Sequence, residues 1–227
     1  TYVNNIQFRA IKDSKLLQIK GLPDNPRFTN FAWSPDETKM AFTHTTLTGV
    51  EVWIADFKTL SAKKLTEAKA NANLGNPITW FKDGNALLVR MLPNDRPALI
   101  NTESALPTGP IVTVSDGSLA QNRTYQDLLK SKTDEDNFDA LTTSELYKVD
   151  LNGNSKLWKN KAIYASESFS PDGNFVIITT IEKPYSYIVP LGRFPQTITI
   201  YDKDGKLISE FHKKPLIEDM PKGFMAT

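Results

Sequence analysis

One short pattern occurs three times in this chain, and it limits the fold more than any other feature. It reads WSPDETKMAF (Trp33–Phe42), WFKDGNALLV (Trp80–Val89) and FSPDGNFVII (Phe169–Ile178). Each copy opens on an aromatic, places an Asp three residues later (Asp36, Asp83, Asp172) and closes in an apolar run. Ser-Pro-Asp-Gly and Lys-Asp-Gly are tight-turn sequences, with Gly84 and Gly173 free to adopt positive φ. The runs that follow, such as FVIITTI from Phe175, are too short for a buried helix and rich in β-branched residues, so they predict inner strands of a sheet. The copies align without gaps: Trp80 lies 47 residues after Trp33, and Phe169 lies 89 after Trp80. The first spacing is close to the ~40–50 residues of a propeller blade. The second is nearly two such units, and holds either an insertion or a degenerate blade.

Partner strands lie between the copies. VEVWIADFKTLSAKKLT (Val50–Thr66), SELYKVDLNGNSKLW (Ser144–Trp158) and QTITIYDKDGKLISEF (Gln196–Phe211) each read as strand, turn, strand, with turns near Lys58-Thr59, Asn152-Gly153 and Asp204-Gly205. IQFRAIKDSKLLQI (Ile6–Ile19) repeats the form at the N-terminal side. Four short antiparallel strands per unit predict an all-β chain, a β-propeller over residues 1–227 with repeat hairpins near 31–45, 78–92 and 167–181. A β-sandwich is the alternative, but it gives no reason for aligned internal copies. The strand pairs amount to about four blades, whereas closed propellers have about four to eight. An open arc would expose strand edges and invite edge-to-edge self-association.

Residues 93–143 break the rhythm and read as a loop and helical insertion. LPNDRPALINTESALPTGP (Leu92–Pro110) is rich in Pro and turn formers. In RTYQDLLKSKTDEDNFDAL (Arg123–Leu141), Thr124 is placed to cap a short helix carrying Tyr125, Leu128 and Leu129. Asp134, Glu135 and Asp136 are placed to open a second helical turn, where carboxylates favour the positive end of the dipole. Excursions of this length are more often functional than not.

Composition narrows the chemistry by exclusion. The 227 residues carry a formal net charge of +1, so no global field directs the chain to nucleic acid or an anionic membrane. Cys is absent, which removes disulfides and thiolate metal sites and leaves the compartment open. No apolar run reaches the ~18 residues of a membrane span. The chain begins without Met on TYVNNIQF, which reads as a processed or excised form.

No complete active site is legible. GNSKL (Gly153–Leu157) lacks the last Gly of a nucleophile elbow. His44 and His212 have no partner at motif spacing and read as structural or surface residues. DLNGN (Asp150–Asn154) starts like a calcium loop, but Lys161 stands where the closing Glu belongs, so it reads as a hairpin turn. Asn122 in NRT matches a glycosylation acceptor by pattern only. The prediction is therefore no catalytic residue, no metal and no cofactor in this chain. The less ordinary stretch is EKPYSYIVPLGRFP (Glu182–Pro195), where Pro184, Pro190 and Pro195 exclude a continuous central strand. Arg193 among Tyr185, Tyr187 and Phe194 suits recognition of a carboxylate. The alternative is an Arg stacked at a blade edge, holding the loop. Arg193 and Arg123, with Tyr185 and Tyr187, are the candidate substrate-facing residues, because they lie in the two non-repeating segments.

Together these stretches resemble one family. The repeated hairpin with its VWIAD strand (Val52–Asp56) is similar to the propellers of prolyl oligopeptidase-type serine peptidases and of TolB. RTYQDLLKSKTDEDNFD (Arg123–Asp139), KPYSYIVPLGRFP (Lys183–Pro195) and PLIEDMPKGF (Pro215–Phe224), in this order, resemble the N-terminal propeller of the glutamyl endopeptidase branch, found in plant plastids and bacteria. That resemblance implies a propeller preceding an α/β-hydrolase domain with a Ser–Asp–His triad, admitting peptides to a chamber and cleaving after Glu. It implies a peptide substrate and a covalently linked hydrolase domain as partners, and a periplasmic or secreted location over a cytoplasmic one. The sequence stops at Thr227, so no triad position carries over. The rival readings are a stand-alone TolB-like propeller that binds a protein and, more weakly, a propeller enzyme acting on sugars.

Overall fold

The computed structural model describes residues 2–9, 11–12, 14–101 and 125–219. The three repeats fold as three copies of one turn. In each, the N–H one residue after the aromatic donates to the carbonyl six after it: Ser34 to Lys39, Phe81 to Ala86, Ser170 to Phe175, at 2.9, 3.0 and 2.9 Å. The Asp carboxylate then accepts the N–H two residues on, from Thr38, Asn85 or Asn174. The residue between the Asp and that donor is left-handed in all three, with φ of 69° at Gly84 and 74° at Gly173. The first copy places Glu37 there, at φ 55°, a conformation that costs a non-glycine residue free energy. Ser34 and Thr38 hydroxyls both bond Asp36 at 2.7 Å and hold that turn without the glycine.

Each turn joins the first two strands of a four-stranded antiparallel sheet. The first blade is β3 (Phe28–Trp33), β4 (Lys39–Thr45), β5 (Val50–Asp56) and β6 (Ser61–Lys64), in that spatial order. The second begins with β7 (Ile78–Trp80) and β8 (Ala86–Met91), and β8 pairs directly with β9 (Ser144–Asp150), in register from Ala86↔Asp150 to Met91↔Glu145. The long spacing between the second and third repeats is therefore an insertion between two neighbouring strands of one blade. Strand β10 (Ser155–Phe169) serves two blades. Its first half pairs with β9, and its second half with β11 (Phe175–Ile181), across register shifts at Leu157/Lys159, Lys159/Ala162 and Tyr164/Ser166. β12 (Gln196–Asp202) and β13 (Leu207–Lys214) complete the third blade. A two-stranded sheet, β1 (Gln7–Arg9) with β2 (Leu16–Gln18), precedes the first.

The described residues thus form a β-propeller arc of three full blades and one partial one. Its cores lie between successive sheets. Ile6 and Ile19 pack on Phe28, Met40 and Phe42. Ala41, Val52 and Ile54 of the first blade meet Ile78, Trp80 and Leu87 of the second. Phe81, Leu88 and Leu146 meet Phe169, Val176 and Ile178 of the third. First strands converge: β3 contacts β7, and the Trp80 indole donates to the Ala32 carbonyl at 2.9 Å. All turns of the repeats lie at one end of the blades, because adjacent strands are antiparallel. The opposite end carries residues 46–49, the described parts of the insertion next to β8 and β9, and residues 182–195.

The insertion corrects one expectation. Thr124 lies outside the described residues, and Tyr125–Lys130 is not helical. Asp127 is left-handed at φ 56°, which no α-helix accommodates, and Tyr125 and Leu129 pack against the third blade instead. The helix, α1 (Lys132–Thr142), starts later, capped by Ser131, whose hydroxyl accepts the Asp134 N–H at 3.2 Å. Asp134 answers by accepting the Lys130 N–H at 2.8 Å, and Asp134 and Glu135 occupy the first turn as their charges favour. No basic residue of α1 serves its last turn, but Arg96 donates to the Ala140 carbonyl at 2.7 Å from the adjoining loop. Buried Asn71 binds the Leu141 carbonyl and the Ser144 hydroxyl, both at 3.0 Å, and fixes that helix end to the connection between blades.

Candidate functional site

The two non-repeating segments meet at the loop end of the arc. Helix α1 lies against residues 182–195, with Phe138 edge-on to Tyr185 and Phe194 at 5.1 and 6.2 Å. Tyr185 stacks on Phe194 at 5.3 Å and 21°. Beneath them Ile163, Ile181 and Val189 form a small core. The prolines decide the local path: Pro190 leads into a single 3-10 turn, Leu191–Arg193, and the chain re-enters the sheet at Gln196.

Asp139 on α1 is the polar centre of this contact. Its carboxylate accepts from the Tyr185 hydroxyl and pairs with Lys183 at 2.6 Å. A turn earlier, Lys132 pairs with Glu135 at 3.0 Å and Asp136 at 2.9 Å. Lys132 first, and the Tyr187 hydroxyl second, hold the Glu135 carboxyl below its ordinary range. Tyr187 itself is 44% exposed, beside equally exposed Ile188.

The candidate residues therefore differ in their surroundings. Tyr185 is half-buried and bonded to Asp139, so its hydroxyl works inside the contact. Tyr187 presents its ring to solvent. Arg193 faces the strand exit: its carbonyl accepts the Ile217 N–H at 3.1 Å, and its guanidinium reaches the Asp219 carbonyl at 3.4 Å. Arg123 lies outside the described residues, as does Asn122. Lys183 carries no signal in the sequence, and Asp139, which reads there with Asp134–Asp136 as a solvated acidic helix start, instead engages Tyr185 and Lys183. An Asp four residues past an acidic helix start carries no signal of its own until the fold brings Tyr185 to it.

The alkaline behaviour of Tyr185 tests this contact. Burial first, and the Asp139 bond second, push its phenol well above the ordinary tyrosine value. A raised folded value contributes stability in full below the unfolded value, and that contribution is lost as pH rises from there. The urea midpoint is expected to fall between about pH 10 and 11, and Tyr185→Phe to flatten that fall. An unchanged slope in the variant would contradict the assignment.

Comparison with known proteins then places the chain. A rice protein (Oryza sativa subsp. japonica) described as a probable chloroplast glutamyl endopeptidase is 35% identical over 213 residues, which is 89% of this chain. Its Arabidopsis thaliana counterpart of the same description is 32% identical over 90% of the chain. The chain is homologous to the chloroplast glutamyl endopeptidases of plants. It spans 22% of the length of each relative. No protein-family profile matches it. Among solved structures, Pyrococcus horikoshii acylaminoacyl peptidase aligns over 91% of this chain and 28% of its own, with a TM-score of 0.51 at 19% identity, a likeness of fold. The homologues are thus named as peptidases, and the fold is that of a propeller region of such proteins.

Proposed function

We propose that this chain is the propeller part of a serine peptidase of the prolyl oligopeptidase type, restricting which peptides reach an α/β-hydrolase domain elsewhere in the protein. The observation that carries the reading is the 35% identity over 89% of the chain to the rice protein. Parent chemistry would be acyl transfer to Ser and then to water, with this chain contributing position rather than bonds. Arg193, Tyr187 and Arg123 are proposed to face the substrate, and Tyr185 to set the loop that bears the first two. Cleavage after Glu is part of the same proposal. Among the described residues no helix is long and apolar enough to cross a membrane.

The test uses the complete reading frame that contains this chain, on fluorogenic peptides with Glu, Pro or Ala before the scissile bond. Cleavage after Glu that a serine-directed inhibitor abolishes is the expected result. Arg193→Ala in that background is expected to raise KM for the Glu peptide roughly tenfold, as loss of one charge-assisted contact would. No cleavage of any peptide, or a frame without a hydrolase domain, would overturn the reading in favour of a propeller that binds a protein partner.

A further inference from the structure

A second arginine lies at the same end of the arc, and its surroundings differ from those of Arg193. Arg27 immediately precedes the inner strand β3. Its backbone is fixed on both sides: the Thr45 N–H donates to its carbonyl at 3.0 Å, and its own N–H donates to His44 Nδ1 at 3.3 Å. Its guanidinium makes no hydrogen bond or ion pair with any described residue. Among the described residues, the Tyr2 ring lies 5.9 Å from the guanidinium carbon. Five donors in a planar fork thus stand unengaged beside an aromatic face.

His44 is only 6% exposed, held edge-on to Phe28 and Trp53 with ring centroids 5.8 and 6.3 Å away. Because Nδ1 accepts the Arg27 N–H, the neutral ring carries its hydrogen on Nε2. That N–H has no acceptor among the described residues. Arg27 and His44 line one open cleft of about 370 Å³, together with Asp24, Asn25 and the lip residue Leu47. Asp24 makes no ion pair with Arg27 and leaves the fork free. A cleft holding an unengaged guanidinium and a fixed imidazole N–H offers donors to an anion with two oxygens. Asp24 and Asn25 in the same wall supply acceptors for the N–H groups of a peptide backbone.

We propose that this cleft binds a peptide carboxylate, with the Arg27 fork and His44 Nε2 as its donors. The carboxylate is either a peptide C-terminus or an acidic side chain. The inference stands apart from the peptidase reading, because it concerns binding by this chain alone.

The experiment is an amide-shift NMR titration of this chain with three blocked dipeptides. Acetyl-Ala-Glu-amide carries only a side-chain carboxylate, acetyl-Ala-Ala only a terminal one, and acetyl-Ala-Gln-amide neither. At least one of the first two is expected to bind with shifts at Arg27 and Thr45, and roughly tenfold more tightly than the Gln peptide. Which of the two binds identifies the source of the carboxylate. Arg27→Gln is expected to erase the difference and Lys206→Gln, in an exposed turn at the other end of the blades, to keep it, and neither exposed substitution should alter the melting temperature. Equal binding of all three peptides, no shift at Arg27, or discrimination that survives Arg27→Gln would overturn the proposal. A complete frame without peptidase activity would leave it intact, and an active peptidase whose chain shows no discrimination would overturn the cleft alone.

Discussion

Replacing Arg90 with alanine is expected to lower the free energy of unfolding by about 3–5 kcal/mol, as seen when one member of a buried ion pair is removed. Arg90 lies on β8 of the second blade, and Glu167 on β10 where it opens the third. The pair is bidentate, with Nε to Oε1 at 2.8 Å and Nη2 to Oε2 at 2.7 Å, and the two side chains are 5% and 4% exposed. The remaining guanidinium nitrogen, Nη1, donates to the Leu74 carbonyl at 3.0 Å, tying in the connection between the first two blades. Alanine leaves the Glu167 carboxylate buried without a cation, and the desolvation it suffered on folding is no longer offset. The pair itself contributes far less than the single substitution costs. Arg90→Met with Glu167→Leu is therefore expected to recover most of the loss. Urea unfolding followed by tryptophan fluorescence measures both, provided the slope with denaturant stays constant. A loss below about 1 kcal/mol in Arg90→Ala would show that water reaches the site.

The second large effect separates two residues that the sequence presents as equivalents. Trp80→Ala is expected to cost about 3–5 kcal/mol, the range for removing a buried large aromatic. Trp33→Ala, at the same position of the first repeat, is expected to cost about 1 kcal/mol or less. Trp80 is 7% exposed, packed between the first and second blades, with its indole N–H on the Ala32 carbonyl. Phe169 has the matching place in the third repeat at 8% exposure, 4.7 Å from Phe81. Trp33 is 52% exposed, because the sheet that precedes it has two strands where the others have four. It rests on Phe57 at 4.8 Å and borders an open cavity of about 540 Å³ shared with Phe8 and Leu17. Trp80→Phe should fall between, losing one hydrogen bond worth about 1 kcal/mol and some packing. Similar losses at Trp33 and Trp80 would refute the inter-blade account.

Much of the fold was legible because it is written locally. A turn with Asp at its third position and a residue at positive φ needs only six neighbouring residues, so three copies of it announce three strand pairs before any tertiary contact is known. The apolar run Phe175–Ile181 marks a strand but not its covered face, because Phe175 and Ile177, which are exposed, are as apolar as the buried Val176 and Ile178. The start of α1 was half legible. Its acidic first turn is legible, but the cap that the sequence offers, Thr124, stands seven residues before Ser131 and would open a separate helix that the left-handed Asp127 rules out.

The candidate site was legible only as two unusual segments. Nothing in Asp139, Lys183 or Arg90 marks them in sequence: their partners lie 46, 44 and 77 residues away. A charge is informative only where it is dry or unengaged, and the order of strands decides both. By itself the sequence determined the hairpins, their repetition and the excursions between them, because turn chemistry and strand alternation act over a few residues. Tertiary structure alone decided that one inserted segment docks on another, that Glu167 is buried with Arg90, and that Arg27 is left free beside His44. Those outcomes depend on which faces the stacking of blades removes from water, and no short stretch of chain carries that information.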